Sequence, residues 1–289
     1  MNANKKMNCL VIVVIYAGSL DECRTLRCLQ ELSVGHRQQM HLYVHINGTS
    51  DLRQELQEQF QGTFGRLSVS YDGKNRGIVY AYKTAVIACG SSVQWITLLD
   101  QDSVFDNRLF DAIEAAVPSL SANEVMLAPV VRENKSGAQV SPFRVFLGKA
   151  IPFRSVIGFP VCINSMTTFR SEYLVKLAPY FQIDFFLDTF DCWLSHSMHC
   201  QGLKVKVLQD VVTGHELSLA ESDHGDIYRA REIMALFNAT RISWKFFPLA
   251  AVRFFWRLSC VSWQDKTIRY FNLFEHYRKY KKLKEELYD

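Results

Sequence analysis

A short apolar run that ends in two carboxylates places the strongest constraint on the fold. The run WITLL at residues 95–99 leads directly into DQDS at residues 100–103. An apolar run of this length predicts a buried strand, and open α/β sheets bind their ligands beyond the carboxyl ends of the strands. If the segment stays extended, Asp100 and Asp102 share one face and reach the same hard divalent cation. The alternative is a strand that enters an Asp-rich turn with both acids solvated.

Composition narrows the class of protein. With 289 residues, of which 48% are hydrophobic, the chain buries a full core as one large domain or two coupled domains. Its 33 basic and 29 acidic residues give a formal net charge of +4, which is too small to argue for nucleic acid as a partner. The eight cysteines include no Cys-x-x-Cys pair, which is typical of a reducing compartment. We predict no transmembrane span, because no apolar stretch reaches roughly twenty residues.

The first half of the chain alternates apolar and amphipathic segments, which is typical of a mostly parallel sheet with helices on its faces. We predict strands at residues 9–16, 40–46, 66–71, 94–99, 124–130 and 204–208. We predict helices at residues 21–32, 51–60, 77–88, 107–116, 171–178, 187–199 and throughout the tail. Residues 132–160 are rich in Gly, Pro, Ser and basic residues, and we predict that they form a long functional loop.

Three further polar clusters flank the diacid. Upstream, KNRG at residues 74–77 lies at a predicted strand-to-helix junction, where backbone N–H groups face a phosphate or a sugar. Downstream, Asp188 and Asp191 are three residues apart and share one face if their segment is helical. His215 then adds an imidazole after the last predicted strand. The alternatives are a solvated helix start for the two acids and an ordinary structural histidine.

Taken in this order, the motifs resemble those of the family 2 glycosyltransferases with the GT-A fold, particularly the bacterial rhamnosyltransferase-like branch. The resemblance covers about residues 10–219. Its most specific element is LLDQDS at residues 98–103, preceded by the Asn75-x-Gly77 turn. It implies an α/β fold in which a Rossmann-like, mostly parallel central sheet is flanked by helices, with a C-terminal helical extension.

The resemblance also divides the chain into regions. Residues 1–219 are expected to form the glycosyltransferase domain, with a nucleotide-sugar-binding half at 1–130 and an acceptor-side half at 131–219. In residues 220–289, which we expect to be helical, aromatic and basic residues interleave, and this pattern indicates association with an anionic membrane surface. The alternative is an ordinary helical cap that packs on the domain and has a solvated basic end.

A metal site follows from the same resemblance. The second acid of the D-x-D motif, Asp102, is expected to hold the Mg²⁺ or Mn²⁺ ion that bridges the donor diphosphate. Asp100 is expected to support the ribose or the coordination shell of the metal, and His215 to complete the site. A divalent cation suits this chemistry because it stabilises the negative charge that builds on a departing diphosphate.

The resemblance implies donor and acceptor residues as well. The residues expected to bind the nucleotide-sugar donor are Tyr16, Asn47, Asn75, Gly77 and Asp100. Where the family has an acid that contacts the nucleobase, this chain has Ile46. On the acceptor side, Asp191 is expected to act as the base that removes the proton from the attacking hydroxyl, with Asp188 as a positioning acid. Which of these two acids is the base stays open.

These assignments predict a metal-dependent, inverting glycosyltransferase of the hexosyltransferase type. It would move a sugar, rhamnose by analogy with the branch named above, from a dTDP- or UDP-linked donor to a polyprenyl-diphosphate-linked glycan during O-antigen or capsule synthesis. Such an enzyme would be cytoplasmic and peripheral at the inner face of the membrane. Two alternatives stay open. One is a haloacid-dehalogenase-type phosphohydrolase with Asp100 as nucleophile and Asp102 as acid/base; the other is a non-catalytic, membrane-associated binding protein.

Overall fold

The computed structural model describes residues 8–16, 18–134, 136–146, 149–181 and 190–215. Asp188 and the whole of the region 220–289 lie outside the described residues, so the predictions made for them stay predictions. For His215, the last described residue, the structure describes the backbone and not the side chain.

Strands and helices alternate through the first half of the chain. The strands are β1 (Cys9–Ile15), β2 (Met40–Ile46), β3 (Arg66–Tyr71) and β4 (Trp95–Asp100). The helices are α1 (Arg24–Glu31), α2 (Val34–Gln39), α3 (Arg53–Phe60), α4 (Ile78–Cys89) and α5 (Asn107–Ala116). Every residue of β1 and of β2 is buried, because both are central strands that helices cover on two faces.

The second half is richer in short strands. The strands are β5 (Glu124–Glu133), β6 (Gln139–Ser141), β7 (Phe143–Phe146), β8 (Lys149–Pro152), β9 (Ile157–Gly158), β10 (Thr167–Arg170) and β11 (Lys204–His215). The helices are α6 (Ser171–Leu177) and α7 (Phe190–Cys200). None of the helices in the described part of the chain is long and apolar enough to span a membrane.

The described strands form one large, mostly parallel sheet. Its order is β3-β2-β1-β4-β10-β5-β11-β9, with β6 paired to β5, and β7 and β8 form a separate hairpin. The pairs β1/β2, β2/β3, β1/β4 and β5/β11 are parallel, whereas β10 runs antiparallel to both of its neighbours. The predicted α/β architecture with a mostly parallel central sheet is therefore confirmed.

The sheet separates two apolar cores. The odd-numbered residues of β1 pack with α1, α3 and α5 on one face. The even-numbered residues of β1 pack with α4, α6 and α7 on the other face. This alternation with period two follows from the strand pleat. It also decides which helix each polar residue meets where the strands end.

The prediction of one long loop at residues 132–160 is wrong. Four short strands, β6 to β9, lie within that segment, and β5 extends into its start. They are two to four residues long, so no alternation of apolar and polar residues is long enough to reveal them. The single helix predicted at residues 21–32 is interrupted at Cys23, which has an extended backbone before α1 begins.

Two buried histidines on β2 make the stability of the fold depend on pH. Burial, together with the positive charge of the nearby Arg66 guanidinium, lowers the pKa of His41 from 6.5 to about 4. Burial also lowers the pKa of His45 from 6.5 to about 4. The unfolded chain thus takes up these protons near pH 6.5, and the folded protein only near pH 4. The stability that the neutral rings contribute is complete above pH 6.5 and is lost as the pH falls towards 4.

We therefore expect the free energy of unfolding, measured by urea titration, to decrease as the pH is lowered from about 6.5 to about 4. The substitution His45→Phe removes one of the two titrating groups and should make this decrease shallower. The control is His196→Phe, at an exposed position on α7, which should leave the slope unchanged. Parallel pH profiles for the wild type and His45→Phe would contradict the assignment.

Candidate functional site

Four parallel strands end level with one another. Val14 of β1 lies beside both His45 of β2 and Asp100 of β4, and β3 continues the same register from β2. Because parallel strands that end together bring their following residues to one edge, the predicted donor residues meet there. Those that directly follow β1, β2 and β4 are Tyr16, Asn47 and the turn at residues 101–102.

The diacid occupies the end of β4 and the turn that follows it. The strand stops at Asp100, and Gln101 and Asp102 form a turn. The expectation that both acids share one face of an extended segment is therefore wrong. Asp100 continues the series of β4 residues that faces α4, and its carboxylate Oδ1 accepts a hydrogen bond of 2.8 Å from the hydroxyl of Tyr82 on that helix.

Hydroxyl groups hold the diacid turn in shape. The Ser103 hydroxyl donates a hydrogen bond of 3.1 Å to the Asp100 carbonyl oxygen. The same hydroxyl accepts one of 3.2 Å from the Asp100 main-chain N–H. The Thr25 hydroxyl donates a hydrogen bond to the Asp100 carbonyl oxygen, and it lies 3.2 Å from the carbonyl oxygen of Ser103. These contacts satisfy polar main-chain groups that would be costly to bury without partners. The start of α1 is thereby attached to the turn.

A second contact ties the turn to β1. The Gln101 side-chain Oε1 accepts a hydrogen bond of 2.7 Å from the main-chain N–H of Tyr16. The side chain of Tyr16 itself is 61% exposed, so it lies on the open side of this edge. The residue between the two acids thus has a structural part, because it fixes the distance between the end of β1 and the diacid.

The charge of the diacid acts on two buried neighbours. Burial, followed by the charge of the Asp100 carboxylate and the hydrogen bond to it, raises the pKa of Tyr82 well above its ordinary value; the charge of Asp102 adds to the shift. Burial raises the pKa of the Cys23 thiol to about 11, and the Asp102 charge adds to that shift too. Tyr82 therefore remains a hydrogen-bond donor over the physiological pH range.

The loop at residues 72–77 is fastened over the end of β2. The buried Asn47 side chain accepts a hydrogen bond of 2.8 Å from the main-chain N–H of Arg76. The Asn75 side chain accepts one of 3.1 Å from the N–H of Gly77. Gly77 has a φ of 80°, a conformation that favours glycine, and α4 begins at the next residue. Asn47, Asn75 and Gly77 thus shape one loop at the N-terminus of α4, where backbone N–H groups favour an anion.

Arg76 places a fixed cation at this edge. Its guanidinium pairs with the Asp72 carboxylate and lies over the Tyr80 ring, with 5.1 Å between the guanidinium carbon and the ring centroid. The His45 ring meets the same tyrosine edge-on at 5.9 Å. Within the described residues, neither ring nitrogen of His45 has a hydrogen-bond partner. Arg76 belongs to the KNRG segment that the sequence marked for a phosphate or a sugar. Its ion pair with Asp72 was not predicted, because both residues lie in a loop and not on a helix face.

The end of β11 lies next to the diacid turn. His215 pairs with Glu133 of β5, and the preceding Gly214 forms a bridge with Val104, two residues after Asp102. The backbone of His215 is therefore close to the turn that carries Asp102. A Cβ on Gly214 would come within 2.2 Å of the Asn134 side-chain oxygen, so a larger residue at position 214 would require that side chain to move.

Asp191 lies in the first turn of α7, on the same face of the sheet as α4. Its Oδ1 accepts a hydrogen bond of 2.7 Å from the main-chain N–H of Cys192. The preceding Phe190 packs on the ring of Tyr82, with 6.4 Å between the ring centroids. Because Tyr82 also donates a hydrogen bond to Asp100, the contact between the Phe190 and Tyr82 rings connects the start of α7 to the diacid.

The residues present fit a hard divalent cation. Asp100 and Asp102 offer carboxylate oxygens at an open sheet edge, and Mg²⁺ is usually bound by one or two carboxylates together with substrate phosphates and water. Among the described side chains, no three His, Cys, Asp or Glu residues form a closed metal cluster. Such a pair of acids, with further positions left to a diphosphate, suits a cation shared between protein and substrate.

Several residues that build this edge were not predicted. Thr25, Gln101 and Ser103 hold the turn, and Tyr82 holds Asp100. A signal existed for Ser103, because serine is common in turns, where its hydroxyl bonds to nearby main-chain groups. No local signal marks Thr25 or Tyr82, since each meets the diacid across a long separation in sequence.

Comparison with known proteins identifies the fold. No family model and no curated protein matches the chain. Among solved structures, TarS of S. aureus in complex with UDP is 15% identical over 81% of this chain and 66% of its own, with a TM-score of 0.55. The mannosyltransferase PcManGT from Pyrobaculum calidifontis in complex with GDP-Man and Mn²⁺ is 16% identical over 87% and 70%, with a TM-score of 0.56. GalNAc-T7 with UDP, GalNAc and Mn²⁺ is 12% identical over 84% and 50%, with a TM-score of 0.63.

These neighbours are GT-A fold glycosyltransferases. At such low identity the likeness is one of fold, and the chain spans only half to about two thirds of the TarS and GalNAc-T7 chains. The chain therefore has the GT-A fold, as the motifs predicted.

The hydroxyl contacts of the diacid turn can be tested by an isosteric substitution. Thr25→Val leaves the carbonyl oxygens of Asp100 and Ser103 without this donor, and we expect the free energy of unfolding to fall by about 1–3 kcal/mol in urea titrations. Thr213→Val is the matched control, because the Thr213 hydroxyl is buried and has no partner in the described part of the chain. That change should be neutral or slightly stabilising. If both variants lost the same free energy of unfolding, the hydrogen bonds of the Thr25 hydroxyl would not stabilise the turn.

Proposed function

We propose that this chain is a metal-dependent, inverting glycosyltransferase that uses a nucleotide-sugar donor. The observation that carries the proposal is the convergence of the diacid turn, the end of β2 and the N-terminal loop of α4 at one sheet edge of a GT-A fold. In two of the structural neighbours, this fold occurs together with Mn²⁺ and a nucleotide or nucleotide sugar.

The donor residues have distinct parts in this proposal. Asp102 and Asp100 hold the cation and orient it, and His215 completes the site; the bridge between the preceding Gly214 and Val104 supports this role. The loop of Asn75 and Gly77 presents N–H groups to the donor, and Arg76 adds a fixed positive charge. When bound, a divalent cation stabilises the charge that builds on the leaving diphosphate.

Asp191 is the proposed base of an inverting displacement. The incoming hydroxyl loses its proton as it attacks the anomeric carbon, and a carboxylate within hydrogen-bond reach accepts that proton. The contact between Phe190 and Tyr82 holds the start of α7 against the helix that carries the hydrogen-bond partner of Asp100, which supports this assignment. Asp188, outside the described residues, remains the proposed positioning acid.

The phosphohydrolase alternative receives less support. It requires Asp100 to be a free nucleophile, whereas Asp100 accepts a hydrogen bond from a buried tyrosine that stays protonated. A hydrogen bond of this kind stabilises the carboxylate as an anion and lowers its nucleophilicity. No observation favours the non-catalytic alternative.

Substitution of the two key acids should separate donor binding from transfer. We expect Asp102→Asn to weaken Mn²⁺-dependent binding of UDP or dTDP at least about 10-fold, because a metal ligand is lost. We expect Asp191→Asn to keep that affinity and to lower the turnover rate by about 10²–10⁴-fold, because the base is lost. Calorimetry measures the first effect, and release of nucleoside diphosphate from a panel of UDP-, GDP- and dTDP-sugars measures the second.

Asp210→Asn is the charge-matched control, since Asp210 is exposed on β11. It should change neither nucleotide affinity nor turnover. Release of phosphate from simple phosphate esters by the wild-type protein, without any sugar donor, would instead support the phosphohydrolase.

The sugar, the acceptor and the location belong to the same proposal. We propose rhamnose as the sugar and a polyprenyl-diphosphate-linked glycan of lipopolysaccharide or capsule as the acceptor, because the motifs resemble the rhamnosyltransferase-like branch. The enzyme would then act at the inner face of the cytoplasmic membrane, where the tail of aromatic and basic residues at 220–289 meets anionic lipid.

Charge reversal in the tail tests the membrane proposal. Lys281→Glu, Lys282→Glu and Lys284→Glu combined should sharply reduce cosedimentation with phosphatidylglycerol vesicles, since each lysine contributes about 1 kcal/mol near an anionic surface. Neutral phosphatidylcholine vesicles provide the control. Unchanged sedimentation with the anionic vesicles would exclude the lysines from membrane association.

A further inference from the structure

Tyr82 is an unusual residue for the middle of an apolar helix face. It is among the largest fully buried side chains of the described part of the chain, and it packs with the even-numbered residues of β1 and β4. Its hydroxyl nevertheless finds a charged partner, Oδ1 of Asp100, at 2.8 Å. A buried hydroxyl without a partner costs free energy, so this hydrogen bond is a fixed feature of the core.

The contact constrains the acid more than the tyrosine. The Tyr82 ring is held by the core on α4 and by Phe190 of α7, so its hydroxyl has little freedom to move. The Asp100 side chain stands at the open end of β4, where it is only half-buried. A rigid donor on one carboxylate oxygen therefore favours one orientation of the Asp100 carboxylate.

We propose that Tyr82 is a positioning residue for the donor site, which acts by fixing the orientation of the Asp100 carboxylate towards the cation and the donor. This inference rests on the proposed function, because it gives Tyr82 a part in the same site. The helix α4 then contributes to the site in two ways. The loop before it faces the donor, and Tyr82, its fifth residue, orients the Asp100 carboxylate. Tyr82 itself touches no reacting atom.

The proposal predicts a metal-binding defect that depends on Asp100. Tyr82→Phe keeps the ring and its packing but removes the donor, and we expect the affinity for Mn²⁺, measured by electron paramagnetic resonance, to fall about 10-fold. In an Asp100→Ala background the same substitution should have almost no effect on Mn²⁺ affinity, because the group through which Tyr82 acts is gone. The wild type, the two single variants and the double variant form a thermodynamic cycle. Their unfolding equilibrium constants, measured without metal, should show that the effects of Tyr82→Phe and Asp100→Ala on stability are not additive.

Tyr173→Phe is the matched control. Tyr173 is also buried in the core on this face, and its hydroxyl has no hydrogen-bond partner among the described residues. The same atom is removed there, and Mn²⁺ affinity should stay at the wild-type value.

The outcomes separate the inference from the function it rests on. If the wild type binds Mn²⁺ and nucleotide but Tyr82→Phe binds Mn²⁺ equally well, the positioning role is overturned and the proposed function stands. If Tyr82→Phe weakens Mn²⁺ binding as much with alanine at position 100 as with aspartate, the effect is a general structural one and the inference is wrong. A wild-type protein that binds neither Mn²⁺ nor nucleotide overturns both proposals.

Discussion

The level ending of β1, β2 and β4 is the constraint on which the site depends. Parallel pairing places Val14 beside both His45 and Asp100, so three chain segments leave the sheet at one edge. Hydrogen bonds in the ladder fix this register more firmly than any contact made by the loops. A shift of one residue would turn Asp100 away from α4 and send its carboxylate into the opposite apolar core. The polar groups at the edge hold fixed positions because the strands that carry them cannot shift in register.

Short polar contacts convert this shared edge into a site. Thr25 and Ser103 satisfy the main-chain groups of the diacid turn, Gln101 joins the turn to β1, and Asn47 joins β2 to the loop before α4. Each contact links two segments that are distant in sequence, so the edge behaves as one unit. Tyr82 adds a hydrogen bond from within the core, so a side chain held rigidly on α4 fixes an acid at the surface.

Much of this arrangement could be predicted from the sequence, and the limits have physical causes. The strands β1, β2 and β4 are mostly apolar, and α5 begins after Asp106, whose side chain accepts a hydrogen bond from the Arg108 N–H. The diacid and the loop with Gly77 follow such elements directly, so their places were predictable. The partner of Asp100 was not, because it depends on the strand order and on the face of α4 that meets β4. The short strands after β5 carry too few residues for a periodic pattern.

The antiparallel strand β10 explains why the diacid belongs to both halves of the sheet. It lies between β4 and β5 and so interrupts the parallel order at the strand that carries Asp100. Met166, just before β10, has a positive φ of 65° and donates a hydrogen bond of 2.8 Å to the Leu98 carbonyl oxygen. The neighbouring Ser165 hydroxyl contacts that of Ser103 in the diacid turn. A non-glycine residue in this conformation is strained, and such strain persists where surrounding contacts demand it. The second half of the chain therefore contacts the diacid turn through a strained turn, which connects the sheet edge to the segments that follow β5.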